Sequence, residues 1–208
     1  MFSDLRIGQE FAAFEAEHTP VPRLVGMASG VVLEIGPGSG NQLSRFDQKA
    51  ISHIYGIEPN KCLFDHLCET QIKKHGLTDV YTPIHAALEN EGELASAGIM
   101  NGSIDTIVCM QVLCSVSDPI KAVKRMHELL KPGGQLLLWE HTANKDTLTR
   151  HVQGLWNILW SPFVGGCRLN RDIEELIFNV DWHVAEKGRD DQQPWHPMPR
   201  FWGRFLKP

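Results

Sequence analysis

Residues 32–41 read V-L-E-I-G-P-G-S-G-N, an apolar strand running straight into three glycines at alternate positions. A tight turn favours positive φ, and a ligand that approaches the backbone closely tolerates no side chain; glycine answers both demands. Gly36, Gly38 and Gly40 are more glycine than a plain strand-to-helix turn requires. In a doubly wound α/β sheet, the carboxyl end of a strand and the N-terminus of the next helix are where ligands bind. The next strand signal, I-S-H-I-Y-G-I-E at 51–58, ends on Glu58, 18 residues beyond Gly40. An acid in that place accepts hydrogen bonds from both ribose hydroxyls of an adenosine ligand. The dinucleotide fingerprint would require Gly or Ala at 41, and Asn41 stands there, which argues against a nicotinamide cofactor.

Strand and helix signals alternate along most of the chain, the pattern of a parallel sheet with crossover helices. A helix is predicted over Asn60–His75, stopped by Gly76, followed by a strand at D-V-Y-T-P-I-H. The polar stretch from Glu89 to Ser103 reads as a loop with one short helix. S-I-D-T-I-V-C-M-Q-V-L reads as a central strand. Asp118-Pro119 then starts a helix whose buried stripe is Ile120, Val123, Met126, His127 and Leu130. Lys131-Pro132-Gly133-Gly134 stops it before the strand Q-L-L-L-W-E. Leu148, Val152, Leu155 and Leu159 follow a helical period. A further helix is predicted near Arg171–Val180, capped by Asn170, before two closing strands, W-H-V-A-E-K and R-F-W-G-R-F-L.

At 208 residues the chain fits one domain. A net charge of −5 supplies no basic field for phosphates, so a nucleic-acid partner is not expected. No apolar run approaches the roughly 20 residues that span a bilayer, and acids interrupt the N-terminus, so no transmembrane segment and a cytoplasmic location are expected. The five cysteines show no C-x-x-C spacing and the ten histidines no H-E-x-x-H; neither a disulfide framework nor a metal site is expected. Most cysteines, Cys114 included, are expected to pack as small hydrophobes.

E-I-G-P-G-S-G, Y-G-I-E-P-N and L-K-P-G-G together resemble the class I S-adenosylmethionine-dependent methyltransferases over about residues 30–141. V-L-C-S-V (112–116), W-E-H (139–141), G-G-C-R-L-N-R (165–171) and the ending P-R-F-W-G-R-F-L-K are similar to the thiol-methylating methyltransferase-like proteins of animals and their fungal UbiE-like relatives. The resemblance implies a Rossmann-like fold: a seven-stranded, mostly parallel sheet with helices on both faces and an antiparallel C-terminal strand. It implies a short cap segment over residues 1–30, without the membrane-associating stretch of those relatives, and a cofactor-binding domain over 31–208.

By that resemblance, Gly36, Pro37, Gly38 and Gly40 hold the methionyl end of S-adenosylmethionine, and Glu34 organises the turn. Glu58 takes the ribose hydroxyls, and Pro59 and Asn60 flank the adenine. Leu88 and Glu89 match the adenine segment, in which Ala87 replaces a frequent aspartate. Gln111 matches a position that touches the cofactor's amino acid moiety. Methyl transfer from a sulfonium asks mainly for alignment. His141, at the end of the fifth strand, is the candidate base, with Glu140 its structural partner; the alternative is that Glu140 and His141 cap or orient the next loop. At least half of Trp156, Trp160, Trp195 and Trp202 are expected in the core, the rest lining an acceptor pocket; Arg168 and Arg171 are expected on the solvated surface. The expected activity is methyl transfer to a thiol or hydroxyl of a small apolar metabolite. A methyltransferase-derived cyclase or isomerase, or a non-catalytic cofactor-binding subunit, are the alternatives.

Overall fold

The computed structural model describes residues 13–190 and 193–208. Residues 1–12 of the predicted cap segment lie outside them. Helix α1 (Val21–Val25) precedes β1 (Gly30–Ile35) and β2 (Ile51–Ile57). Next comes α2 (Lys61–His66), which continues through a π turn at Leu67–Gln71 into Ile72–Lys74, and then β3 (Tyr81–Ile84). The chain goes on through α3 (Glu91–Ser96), β4 (Ile104–Met110), α4 (Pro119–Leu129), β5 (Leu130–His141), α5 (Thr147–Phe163) and α6 (Ile173–Ile177). Strands β6 (His183–Arg189) and β7 (Arg200–Leu206) close it.

The seven strands form one sheet in the order β3-β2-β1-β4-β5-β7-β6, parallel from β3 to β5, with β7 antiparallel to both of its neighbours. This is the predicted architecture. Strand alternation sorts the core into two layers. Leu33, Ile107, Cys109, Leu136 and Leu138 face one side, with Leu94, Val123, Met126, Ile173 and Ile177 from α3, α4 and α6. Val32, Val108, Leu137 and Trp139 face the other, with Val21, Val25, Leu67 and Ile72 from α1 and α2.

Several local expectations hold with their predicted chemistry. Asp118 caps α4 by accepting from Lys121, and Gly76, at φ 67°, ends the helical run that the Asn60 side chain caps by accepting from Cys62 and Leu63. Others are corrected. The turn after Gly40 leads into a single 3-10 turn, Leu43–Arg45, not a crossover helix. Gln42 and Arg45 are drawn instead to the buried Glu15 carboxylate, at 3.3 and 2.9 Å. Ile120 is exposed at the open end of α4. The last helix is shorter than predicted, because Asp172 rather than Asn170 accepts from the N–H three residues on.

Helix α5 is inverted. Its protein-facing side carries Thr149 and Gln153, while Leu148, Val152, Leu155 and Leu159 of the apolar period are exposed, with Trp156, Ile158 and Phe163 beside them. Gln153 explains the orientation: its amide accepts from the Asn144 N–H at 2.9 Å and donates to the Pro197 carbonyl at 3.0 Å. A buried polar anchor thus fixes the helix, since such groups must find partners. None of the four tryptophans expected to supply core residues is fully buried; Trp156 and Trp195 are exposed, and Trp160 and Trp202 half-buried. The buried pair is Trp139 and Trp182.

Candidate active site

The carboxyl ends of β1, β2, β4 and β5 converge on one rim, as a parallel sheet requires. At β1, Gly36, Gly38 and Gly40 take φ of 63°, 56° and 78°, a region L side chains rarely adopt. Two of the three are also hemmed in by protein. A Cβ on Gly36 would meet Val112 at 2.9 Å, and one on Gly40 would meet Gln71 at 3.0 Å. A Cβ on Gly38 would face open space, with nothing nearer than a carbonyl at 4.0 Å. At Gly38 the loop therefore presents bare backbone to open space.

Glu58, just past β2, sits beneath this loop at 5% exposure. Its carboxylate accepts the Gly38 N–H at 3.0 Å and the Asn60 N–H at 2.8 Å. Burial raises its pKa, and the two N–H groups work against that rise. A carboxylate has about four lone-pair sites, so two remain for a ligand. Pro59 and Asn60 follow directly; the Pro59 carbonyl contacts His85 Nε2 at 3.1 Å. Leu88 is buried, and Glu89 accepts from Ser117 Oγ at 3.2 Å across the rim.

Glu34, near the end of β1, is buried beside Gly56 of β2. Tyr81 donates to its Oε2 at 2.7 Å, while its Oε1 is buried with no protein partner. Desolvation pushes this carboxyl up to about 7; Tyr81 opposes the shift and the nearby Glu58 charge adds to it. The Tyr81 hydroxyl occupies the space that a Cβ on Gly56 would fill. Sequence reasoning missed Tyr81, although a glycine inside the β2 pattern, Gly56, was the available signal for a close approach.

The second half of the rim is built around β5. Glu140 is fully buried and accepts the backbone N–H groups of Val112, Leu113 and Cys114 at 2.6, 2.8 and 3.2 Å. Burial pushes its carboxyl up to about 7 against the pull of those three donors. Glu140 is thus not the partner of His141: successive strand residues point to opposite faces. The neighbours of His141 are Gln111, whose Nε2 lies 3.2 Å from its Nε2, and Cys167, whose Sγ lies 3.4 Å from its Nδ1. Gln111 alone among the described non-glycine residues has positive φ, at 61°, a strained state typical of functional loops.

Cys114 completes this group. Its sulfur, the Cys167 sulfur and a His141 ring nitrogen all lie within 4.8 Å of one another, and all three residues are buried. Hydrogen bonding between the two cysteines drives their thiols apart, Cys114 well up and Cys167 down, with His141 helping to lower Cys167. Arg171 is not surface, as predicted, but donates to the Leu113 and Val116 carbonyls at 2.8 and 2.6 Å. It pins the loop that carries Cys114.

The glycine loop, an acid closing β2 and a polar cluster ending β5 share one rim, and the sequence comparisons agree with that geometry. The family described as "Methyltransferase domain" matches residues 11–181. The chain belongs to that family. This bears out the expected Rossmann-like methyltransferase fold and S-adenosylmethionine as its cofactor. The residues present fit that cofactor: Gly38 leaves open space, Glu58 retains accepting capacity and Glu34 Oε1 is an orphaned acceptor beneath the loop.

Human thiol S-methyltransferase TMT1B is 31% identical over 187 residues, covering 86% of this chain and 72% of the relative. Its mouse counterpart is 28% identical over 174 residues, covering 82% of this chain and 65% of its own. The chain thus spans about two thirds of these curated relatives. Among solved structures, the N-methyltransferase NodS from Bradyrhizobium japonicum WM9, in complex with S-adenosyl-L-homocysteine, matches with TM-score 0.65 at 16% identity, covering 93% and 87% of the two chains. Two expectations lose support. A tRNA U34 carboxymethyltransferase of Idiomarina loihiensis is 26% identical over 64% of the chain and 39% of its own length, so the charge argument does not exclude nucleic acid. A yeast relative, methyltransferase OMS1, is mitochondrial, so the cytoplasmic assignment does not follow. No helix among the described residues is long and apolar enough to cross a membrane.

Proposed function

We propose that this protein methylates a small apolar thiol with S-adenosylmethionine. The observation that carries this reading is Glu58, a buried carboxylate at the end of β2 that grips the Gly38 N–H and still has lone pairs to offer. The thiol S-methyltransferases among the relatives support sulfur as the acceptor atom. When bound, the cofactor supplies an electrophilic methyl group on a sulfonium.

This chain's own part is binding and orientation. The Gly36–Gly40 backbone and Pro37 hold the methionyl end, Glu34 organises the turn, and Glu58 takes the ribose hydroxyls. Pro59, Asn60, Leu88 and Glu89 flank the adenine, and Gln111 meets the amino acid moiety. His141 receives the acceptor's proton, its ring steered by Gln111 on one side and Cys167 on the other. A thiol asks little of such a base, because with a pKa near 8.5 it is partly ionised at neutral pH. Alignment then supplies most of the rate.

The test is calorimetric binding of S-adenosylhomocysteine, followed by mass-spectrometric turnover of a panel of thiols, phenols and carboxylic acids. Binding with methylation confined to thiols is expected. No binding at millimolar ligand, or a product isomeric with its substrate and no S-adenosylhomocysteine released, overturns the reading.

A further inference from the structure

Three residues that no sequence spacing connects meet in the protein interior. Cys114 comes from the loop after β4, His141 from the last position of β5, and Cys167 from the segment between α5 and α6. We propose that Cys114, His141 and Cys167 form a three-ligand site for a thiophilic divalent cation of the zinc class.

The dimensions suit such an ion. Zinc–sulfur bonds of about 2.3 Å and zinc–nitrogen bonds of about 2.0–2.1 Å place tetrahedral ligands roughly 3.6–3.8 Å apart. Here His141 Nδ1 and Cys167 Sγ are 3.4 Å apart, and no pair in the cluster exceeds 4.8 Å. Closing the widest of these separations takes about 1 Å of movement, within reach of side-chain torsions alone. The charges also suit. Two thiolates neutralise a divalent cation, so the buried unit carries no net charge, whereas an isolated ion there would be costly to desolvate. Two sulfurs and an imidazole select a borderline-soft metal over magnesium or calcium, which want oxygen.

The surroundings hold the ligands independently of any metal. The Cys114 N–H donates to Glu140 at 3.2 Å, and its carbonyl accepts the Arg168 N–H at 2.9 Å, which ties the Cys114 loop to the residue beside Cys167. Arg171 braces the same loop from its other side. The far nitrogen of His141 faces the Gln111 amide at 3.2 Å. A half-turn of that amide brings its oxygen to accept Nε2–H, the outer contact that ligating histidines usually have. Cys109 shows the contrast: it is equally buried, but its thiol meets the Glu140 carboxylate at 3.5 Å and lies outside the cluster. A shallow hollow of about 520 Å³, lined in part by Gly166 and Arg168, opens beside the segment that carries Cys167.

Three protein ligands leave the fourth position of a tetrahedral ion open, as in catalytic rather than structural zinc sites. Resting on the reading above, that position suits the acceptor: a coordinated thiol gives up its proton to solvent and remains as thiolate, and His141 then serves as ligand in place of base.

The experiment measures the metal without cofactor or acceptor, so its failure is distinct from failure of the methyltransferase reading. Reduced protein, stripped with chelator, is titrated with Zn²⁺ under inert gas and analysed for metal after gel filtration. One zinc per chain is expected, with a thiolate-to-metal ultraviolet band when Cd²⁺ replaces it. Cys114→Ser, Cys167→Ser and His141→Ala should each lose the stoichiometric ion. The double variant Cys62→Ser/Cys68→Ser should keep it, because those residues lie outside the cluster. Gln111→Ala should weaken it about 10–100-fold. The cadmium band of the wild type decides the matter even if a cysteine variant fails to fold. No retained zinc and no cadmium band in the reduced wild type overturns the proposal, as does full retention in a folded ligand variant. A Cys114–Cys167 disulfide in protein that takes up no metal once reduced also overturns it, in favour of a redox pair.

Discussion

Replacing Glu58 by glutamine exchanges one carboxylate oxygen of the proposed cofactor site for an NH₂ group and removes the charge, with almost no change in volume. The native carboxylate already accepts two backbone N–H groups, from Gly38 at 3.0 Å and Asn60 at 2.8 Å. Glutamine offers one oxygen, and its NH₂ must face one of those donors. The ribose contacts drop from charge-assisted to neutral or are lost. Hydrogen bonds to a charged group contribute about 1.5–3 kcal/mol, so the net loss in binding is of that order, a roughly 10- to 150-fold weaker Kd. Folding stability should fall too, since the Gly38 turn loses its anchor. Calorimetry with S-adenosylhomocysteine reads the first effect and urea unfolding the second. A pH series adds an internal control. Burial raises the Glu58 carboxyl above its ordinary 4.5, so wild-type affinity should begin to fall at a higher pH than an exposed glutamate would dictate, and the glutamine variant should lack that fall. Affinity within about twofold of wild type, with the same acid dependence, would refute the placement of the ribose on Glu58.

Glu34 carries a linked expectation. Because its folded-state pKa is raised from 4.5 to about 7, the folded protein holds a proton that the unfolded chain has released, and stability falls as pH rises through that window. Glu34→Gln should flatten the slope of urea stability between pH 5 and 7, by on the order of 3 kcal/mol; an unaltered slope would contradict it. Gly56→Ala places a Cβ on the Tyr81 hydroxyl and strips Glu34 of its donor, for an expected loss of about 2–4 kcal/mol in urea unfolding, whereas a neutral effect would show that Tyr81 has room to move. Gln153→Leu leaves the Asn144 N–H and the Pro197 carbonyl without their partner, at about 1–3 kcal/mol for each buried group. Faster amide exchange at Asn144 with unchanged S-adenosylhomocysteine affinity is expected, and unaltered exchange would show that α5 is held by something else.

The parts legible in the sequence were those written in short-range chemistry. Three glycines at fixed offsets, an acid closing the next strand and Asp118 before Pro119 each specify local geometry, and the structure realises all of them. What escaped was set by partners distant in sequence. Helix α5 has an apolar period that normally marks a buried face, but its orientation is decided by Gln153, whose partners come from the loops after β5 and before β7. The crossover helix expected after Gly40 gives way to a 3-10 turn because Gln42 and Arg45 bond Glu15, about 30 residues upstream. The Cys114–His141–Cys167 cluster spans three loops or strand ends, so no motif spacing could announce it.

The W-E-H sequence shows how one strand end serves both halves of the rim. Read linearly, Glu140 and His141 look like an acid orienting a base. A strand period of two forbids it, and the separation is what makes the site. Glu140 turns toward the loop after β4 and collects three consecutive N–H groups, fixing Val112 and Cys114 at once. Val112 in turn packs against Gly36, so the same carboxylate braces the glycine loop. His141 turns the other way, to Gln111 and Cys167. A single buried acid thus ties the glycine loop, proposed to meet the cofactor, to the loop that carries Cys114. In the proposed reaction, which rests on alignment, that brace is expected to matter more than any acid or base.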